Sequence, residues 1–191
     1  MMFNREHTCE WRERTESLER ELAQLTEGAA YVDPITGVGN FKLLGVEYAK
    51  LLGRWNRQRE PFSLVLMAVT EARALGQGFP ERAFAHVARI LGETVRAEDT
   101  LCRASDNEYA VLLANSTAEG GEAFLERARN RIAQEPIRTN DGSRFYRSAA
   151  GVAQWDDTLG SLNGLLRAAD ARMQLFFEDM ATDERAFLPS F

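Results

Sequence analysis

The chain is poor in the residues that staple or metallate a small fold. Among its 191 residues there are two cysteines and two histidines. Cys9 and Cys102 lie far apart with no C-x-x-C spacing, which excludes a disulfide framework and a thiolate zinc site. His7 and His86 lack metal-ligand spacing as well. No apolar run approaches the ~20 residues that cross a bilayer. The first residues, MMFNREHTCEWRER, carry no apolar leader core. These absences lead us to expect a cytoplasmic protein with no membrane partner. Excess positive charge is missing too. The formal net charge is -6, which argues against a nucleic-acid partner but leaves room for a local basic pocket for a small anion. There is no internal repeat and no low-complexity segment. What remains is ordinary globular material, 45% hydrophobic and 27% charged. A domain of this size buries roughly 70% of its unfolded surface.

Two segments follow from the pattern: an N-terminal helix over 1–30 and a domain over 31–191. In the first, Trp11, Thr15, Leu18, Leu22, Leu25 and Ala29 alternate spacings of four and three, the seam of a short coiled coil. It suits a homodimer through this helix, or an amphipathic helix folded onto its own domain. VDPITGVGN then breaks the helix. Asn40 is placed to cap a helix through FKLLGVEYAKLLGRWNRQ. FSLVLMAV has the length and continuous apolarity of a buried strand. Residues 80–96 carry one apolar stripe, Phe84, Val87, Ala88, Leu91 and Val95, and predict a second helix.

Strands are expected at Leu101–Ala104 and Tyr109–Leu113 around the polar turn SDNE, and a helix over about Ala118–Ala133, capped at Ser116 or Thr117. SRFYRSAAGVAQW reads as one or two strands after an NDG turn. A last helix places Leu162, Leu165, Leu166, Ala169, Met173 and Phe176 on one face. Intermixed strands and helices with a central hairpin predict an α/β fold: a mixed, mainly antiparallel sheet flanked by helices.

From about Asp33 to Phe177 these elements resemble the GGDEF family, the diguanylate cyclase domain. DPITGVGN is similar to the family's D-x-L-T-G-L-x-N motif, and LLRAADARM to the start of its final helix. RASDNEYAVLL resembles the R-x-G-G-D-E-F signature and the strand that follows it. Ser105, Asp106, Asn107, Glu108 and Tyr109 then occupy the signature positions. The resemblance implies a reaction in which two GTP molecules are joined, each 3′-hydroxyl attacking the other's α-phosphate, with two divalent metals offsetting charge.

This chain departs from that chemistry at each part. Ala68 stands at one metal position of the first strand and Thr70 at the next acidic one. Asn107 replaces the acidic metal ligand of the signature. Ser105 and Asp106 replace two glycines, which puts a carboxylate where a triphosphate would pass. LGQGFPERA is about four residues shorter than the family's guanine-reading stretch and lacks its Asn and Asp. Phe177 stands where a phosphate-contacting Lys would be. Only Glu108 survives of the acidic signature, and alone it suits a structural hydrogen-bond acceptor. No cofactor or metal is expected, and the turn reads as a former active site.

Many members of the family carry a second, inhibitory site for cyclic di-GMP, marked R-x-x-D five residues before the signature. Arg96-Ala97-Glu98-Asp99 meets that spacing without a gap, and an ungapped count reaches Arg127 as the helix arginine of the same site. An Arg fork fits O6 and N7 of guanine, and a carboxylate can accept from its N1–H and amino group. Taken alone, Arg96 and Asp99 would be a solvated pair worth little. The reading is therefore a non-catalytic cyclic di-GMP receptor with a further, unidentified protein partner. The alternatives are a protein-interaction module indifferent to nucleotides and, last, a residual cyclase.

Overall fold

The computed structural model describes residues 30–71, 81–139, 142–144 and 146–182. Of the helix expected over 1–30, residues 1–29 lie outside them, and with them the coiled-coil seam.

The chain enters through a compact loop. Asp33 accepts from the Thr36 backbone N–H at 2.9 Å and from its hydroxyl at 2.7 Å, an Asx turn that closes the DPIT segment. Asn40 then caps α1 (Phe41–Gln58), accepting from the N–H groups of Lys42 and Leu43. β1 (Phe62–Glu71) follows, and then α2 (Glu81–Gly92). The stripe predicted a helix to residue 96, but α2 stops at Gly92. Beyond it the Thr94 N–H turns back to the Leu91 carbonyl and its hydroxyl takes the Ile90 carbonyl. A glycine followed by a back-bonding threonine competes with the helix ladder and ends it. Arg96 therefore sits in the following turn.

β2 (Thr100–Arg103) and β3 (Glu108–Ala114) form the expected hairpin. α3 (Ala118–Gln134) begins after Thr117, whose side chain makes no capping bond to the backbone. The Ala118 N–H is met by the Gln154 side chain instead. β4 (Ile137–Thr139) and β5 (Gly142–Arg144) make a small separate hairpin around the NDG segment. β4 was not anticipated, being three residues long and without a clear apolar alternation. β6 (Tyr146–Gln154) and α4 (Leu162–Thr182) complete the domain.

The main sheet has the order β2–β3–β1–β6, and every neighbouring pair is antiparallel. Side chains of β1 alternate between two cores, as the period of a strand requires. Val65, Met67 and Val69 join Val111, Leu113 and Val152 beneath α2 and α3, with Phe84, Val87, Leu91, Phe124 and Ile132. Leu64, Leu66 and Ala68 join Ala110, Leu112 and Ala153 beneath α1 and α4, with Leu44, Tyr48, Leu165 and Met173. The result is an α/β/α sandwich whose central strands are covered on both faces. At Gly151 a Cβ would lie 2.0 Å from the Ala169 carbonyl oxygen, so α4 packs directly on the backbone of β6. That close approach sets the distance between layers.

Candidate functional site

Two places bear on function: the β2–β3 turn and a cleft between the end of α2 and α3.

The turn is a hairpin closed by its own groups. The Ala104 N–H donates to the Glu108 carbonyl at 2.9 Å. The Ser105 hydroxyl donates to the Glu108 carboxylate at 2.8 Å, so Glu108 is the hydrogen-bond acceptor the sequence suggested. Ser105, Asp106 and Asn107 are exposed. The Asn107 carbonyl accepts from the Val69 N–H at 3.0 Å, and Ala68 pairs with Glu108 across the sheet. The backbones of the two positions that the resemblance assigned to metal thus lie close together, bearing a methyl group and an amide. Thr70 and Phe177 have side chains outside the described residues, as does most of the shortened stretch after β1.

Arg103, the residue that opens the signature, holds this region together. Its guanidinium lies 3.2 Å from the Asp33 carboxylate and 4.8 Å above the Phe84 ring. Its Nε donates to the Ser105 carbonyl, and Asp106 approaches at 3.7 Å. Arg103 and Asp33 are both about 13–14% exposed, so this pair is shielded far more than a surface ion pair. Burial opposes ionisation of Asp33, but the bonds from Thr36 and the charge of Arg103 outweigh it and hold the carboxyl below its usual range. The backbone repeats the tie. The Gly39 N–H donates to Leu101 O and Arg103 N–H to Gly39 O. A Cβ on Gly39 would meet the Cys102 sulfur at 2.7 Å. Tyr109 is buried, and its hydroxyl donates to the Phe84 carbonyl at 2.7 Å. Burial pushes its phenol well above the ordinary value. Burial likewise pushes the Cys102 thiol up to about 12, which makes it a core residue and not a nucleophile.

The second place is an open cleft of about 370 Å³ lined by Glu93, Thr94, Arg127, Asn130 and Arg131. Of the three residues the sequence singled out for ligand binding, Arg127 lines it. Its guanidinium makes one bond, to the Ala123 carbonyl one turn back. Arg96 is exposed, three residues beyond Glu93. Among the described residues no carboxylate forms an ion pair with Arg96 or Arg127. Asp99 is engaged otherwise: one oxygen accepts from the Arg96 N–H at 3.0 Å and the other from the Ala114 N–H at 3.1 Å, at the end of β3. Sequence reasoning did not single out Glu93, Asn130 or Arg131. Arg131 and Glu93 are 2.8 Å apart, Arg89 and Glu93 2.6 Å, and Arg89 and Glu135 2.6 Å, a network spanning α2 and α3. The i,i+4 pairs Arg89–Glu93 and Arg131–Glu135 were visible as a signal, but nothing local joined them.

The family described as "Diguanylate cyclase, GGDEF domain" matches residues 30–179. The chain belongs to the GGDEF family. Curated relatives from this family include the probable diguanylate cyclase DgcT of Escherichia coli, 26% identical over 117 residues, 57% of this chain and 25% of that protein. Diguanylate cyclase DgcP of Pseudomonas aeruginosa is 24% identical over 131 residues, 66% of this chain and 20% of that protein. The chain thus spans a quarter or less of the length of these relatives. Among solved GGDEF structures, diguanylate cyclase SiaD of P. aeruginosa, in complex with its activator SiaC, superposes with a TM-score of 0.73 at 20% identity, over 91% of this chain and 68% of that one. The coiled coil and GGDEF domain of DgcB from Caulobacter crescentus, in complex with c-di-GMP, gives 0.73 at 16% identity, over 88% and 91%. At these identities the structures share the fold.

Proposed function

We propose that this GGDEF domain is a non-catalytic receptor for cyclic di-GMP. The observation that carries the reading is the cleft beside α3, which Arg127 lines with its fork clear of any described carboxylate; Arg96 is exposed in the turn after α2 and is not one of the lining residues. Its volume falls within the range of ligand-sized clefts, about 300–1,000 Å³. Arginine forks recognise phosphate and the guanine O6/N7 edge, and their planes stack on bases. The GGDEF structure of DgcB is itself a complex with c-di-GMP.

The absence of catalysis is part of the same proposal. Two hard divalent ions need carboxylate oxygens. Ala68 and Asn107 supply none, and the β2–β3 turn is committed to the Ser105–Glu108 bond and to Arg103. A second role, docking of a protein partner, is favoured by four exposed apolar side chains near the start of the domain, Val32, Ile35, Phe41 and Val46. SiaD is one GGDEF protein with a protein activator. Pairing of two chains through residues 1–30 completes the proposal, and light scattering on the full chain against one beginning at Tyr31 tests it. Equal masses would remove it.

Calorimetry with cyclic di-GMP and GTP tests the receptor reading. Cyclic di-GMP is expected to bind at micromolar affinity or better, about 8 kcal/mol, and GTP far more weakly. Arg96→Ala is expected to remove measurable binding without loss of folding. No heat and no thermal shift with excess cyclic di-GMP would leave the protein-docking role as the account.

A further inference from the structure

We infer that the outer face of α1 is the docking site of this chain's own residues 18–29, lying antiparallel to it. The inference goes beyond the reading above and concerns the unpaired chain. The seam that would join two chains is the one that docks, so the two arrangements exclude each other.

The opening loop fixes the direction. Val32 bridges Gly39 in antiparallel fashion. The Asn40 backbone N–H donates to the Tyr31 carbonyl at 2.9 Å, and its side-chain amide donates to the Ala30 carbonyl at 2.9 Å. The Lys42 ammonium stands 4.9 Å from the Tyr31 ring centre. Followed backward from Val32 to Ala30, the chain thus advances from Gly39 toward the first turn of α1. The residues before Ala30 are delivered along that helix.

The face they meet is open. α1 buries Leu44, Tyr48 and Leu51. On the side away from the core Lys42, Val46 and Ala49 are exposed, and Gly53 follows one turn on. At the neighbouring Gly45 a Cβ would meet nothing within 4 Å. Lys42, Val46, Ala49 and Gly53 are spaced four, three and four apart, and Ala29, Leu25, Leu22 and Leu18 repeat those steps in reverse. Each span covers about 16 Å of helix. Antiparallel docking then sets Leu25 on Val46, Leu22 on Ala49 and Leu18 on Gly53 in a single register. Charge agrees with it. α1 carries Lys42, Lys50, Arg54 and Arg57 against Glu47 alone, and residues 18–29 carry Glu19, Glu21 and Glu27 against Arg20 alone. Val32, Ile35 and Phe41 lie outside this register and stay open to a protein partner.

The test is disulfide trapping in the full chain with Cys9→Ser, which removes the competing thiol; Cys102 is buried. On oxidation at low micromolar concentration, Leu22→Cys with Ala49→Cys should link. Leu22→Cys with Glu126→Cys, on the exposed side of α3 and so across the sheet, should not. Mixing chains grown in light and heavy nitrogen separates the two origins of a link, and docking gives linked peptides of one isotope only in mass spectrometry. Adding Val46→Asp, at a side chain already exposed, puts a carboxylate beneath Leu25 and should slow the link to Ala49→Cys about tenfold or more. Absence of that link would overturn the inference, as would an equal link to Glu126→Cys or an unchanged rate with Val46→Asp. Links of mixed isotope would also overturn it, and would favour pairing of two chains. None of these outcomes bears on cyclic di-GMP, so the receptor reading stands or falls separately by its calorimetry.

Discussion

Arg103 and Arg127 are the same side chain in opposite circumstances. Arg103 is packed under the signature turn, bonded to Asp33 and Ser105 and stacked over Phe84. Arg127 is exposed on α3, with one hydrogen bond to Ala123 and its guanidinium 6.0 Å from the Phe124 ring centre, both in its own helix. In the first region charge is committed to holding a turn. In the second it faces a cleft. The lesson is that a charged residue in a family motif is assigned by what surrounds it, and Arg103 is structural here however close it lies to the signature.

The largest effect concerns the turn. Incubation with GTP and magnesium or manganese should yield no cyclic di-GMP by chromatography, and Ala68→Asp with Asn107→Asp should not create activity. Product above a no-enzyme control would erase the contrast between the two regions. Next, Arg103→Ala should cost about 2–3 kcal/mol of stability in urea unfolding, because it strands the partly buried Asp33 carboxylate. Arg127→Ala should leave stability within about 0.5 kcal/mol and weaken cyclic di-GMP about tenfold. If the two variants exchanged effects, the assignment of roles would be reversed.

A smaller, pH-dependent effect sharpens the first half. The folded pKa of Asp33 lies below its ordinary 3.8, so its stabilisation is complete above that value and is lost as pH falls through the folded one. The stability gap between wild type and Asp33→Asn should be constant from neutral pH to about pH 5 and close below pH 4. A gap unchanged at pH 3 would mean that the charge of Asp33 contributes nothing to it. The smallest effect belongs to the network of α2 and α3. Arg89→Ala should shift the thermal midpoint by about 2 °C or less, and less again in high salt, since exposed ion pairs are screened.

Much of the fold was legible from periodicity. The cap at Asn40, the hairpin flanking SDNE, the buried strand at Phe62–Val69 and the apolar stripe of α4 were each readable, because caps and strand alternation are local properties. The end of α2 was not, since the stripe continued to Val95 while Gly92 and Thr94 stopped the helix. β4 was missed because three residues carry too little pattern. Of the candidate site, the sequence count named Arg127, and the structure puts that residue on a cleft the sequence did not show. The engagement of Asp99 by Ala114 was invisible, being a bond to a strand 15 residues away.

By itself the sequence determined the order of elements, the two apolar faces of the sheet and the presence of a methyl group at Ala68 and an amide at Asn107. These depend on residue identity and on spacings of two, three or four. Tertiary structure alone decided which charges are occupied. Arg103 meets Asp33 across 70 residues, and Arg131 meets Glu93 across 38. Both pairings exist only because the sheet brings β2 to the opening loop and the shared core brings α2 to α3. A charge pair is a property of distance in space, and no sequence spacing encodes it until the layers have packed.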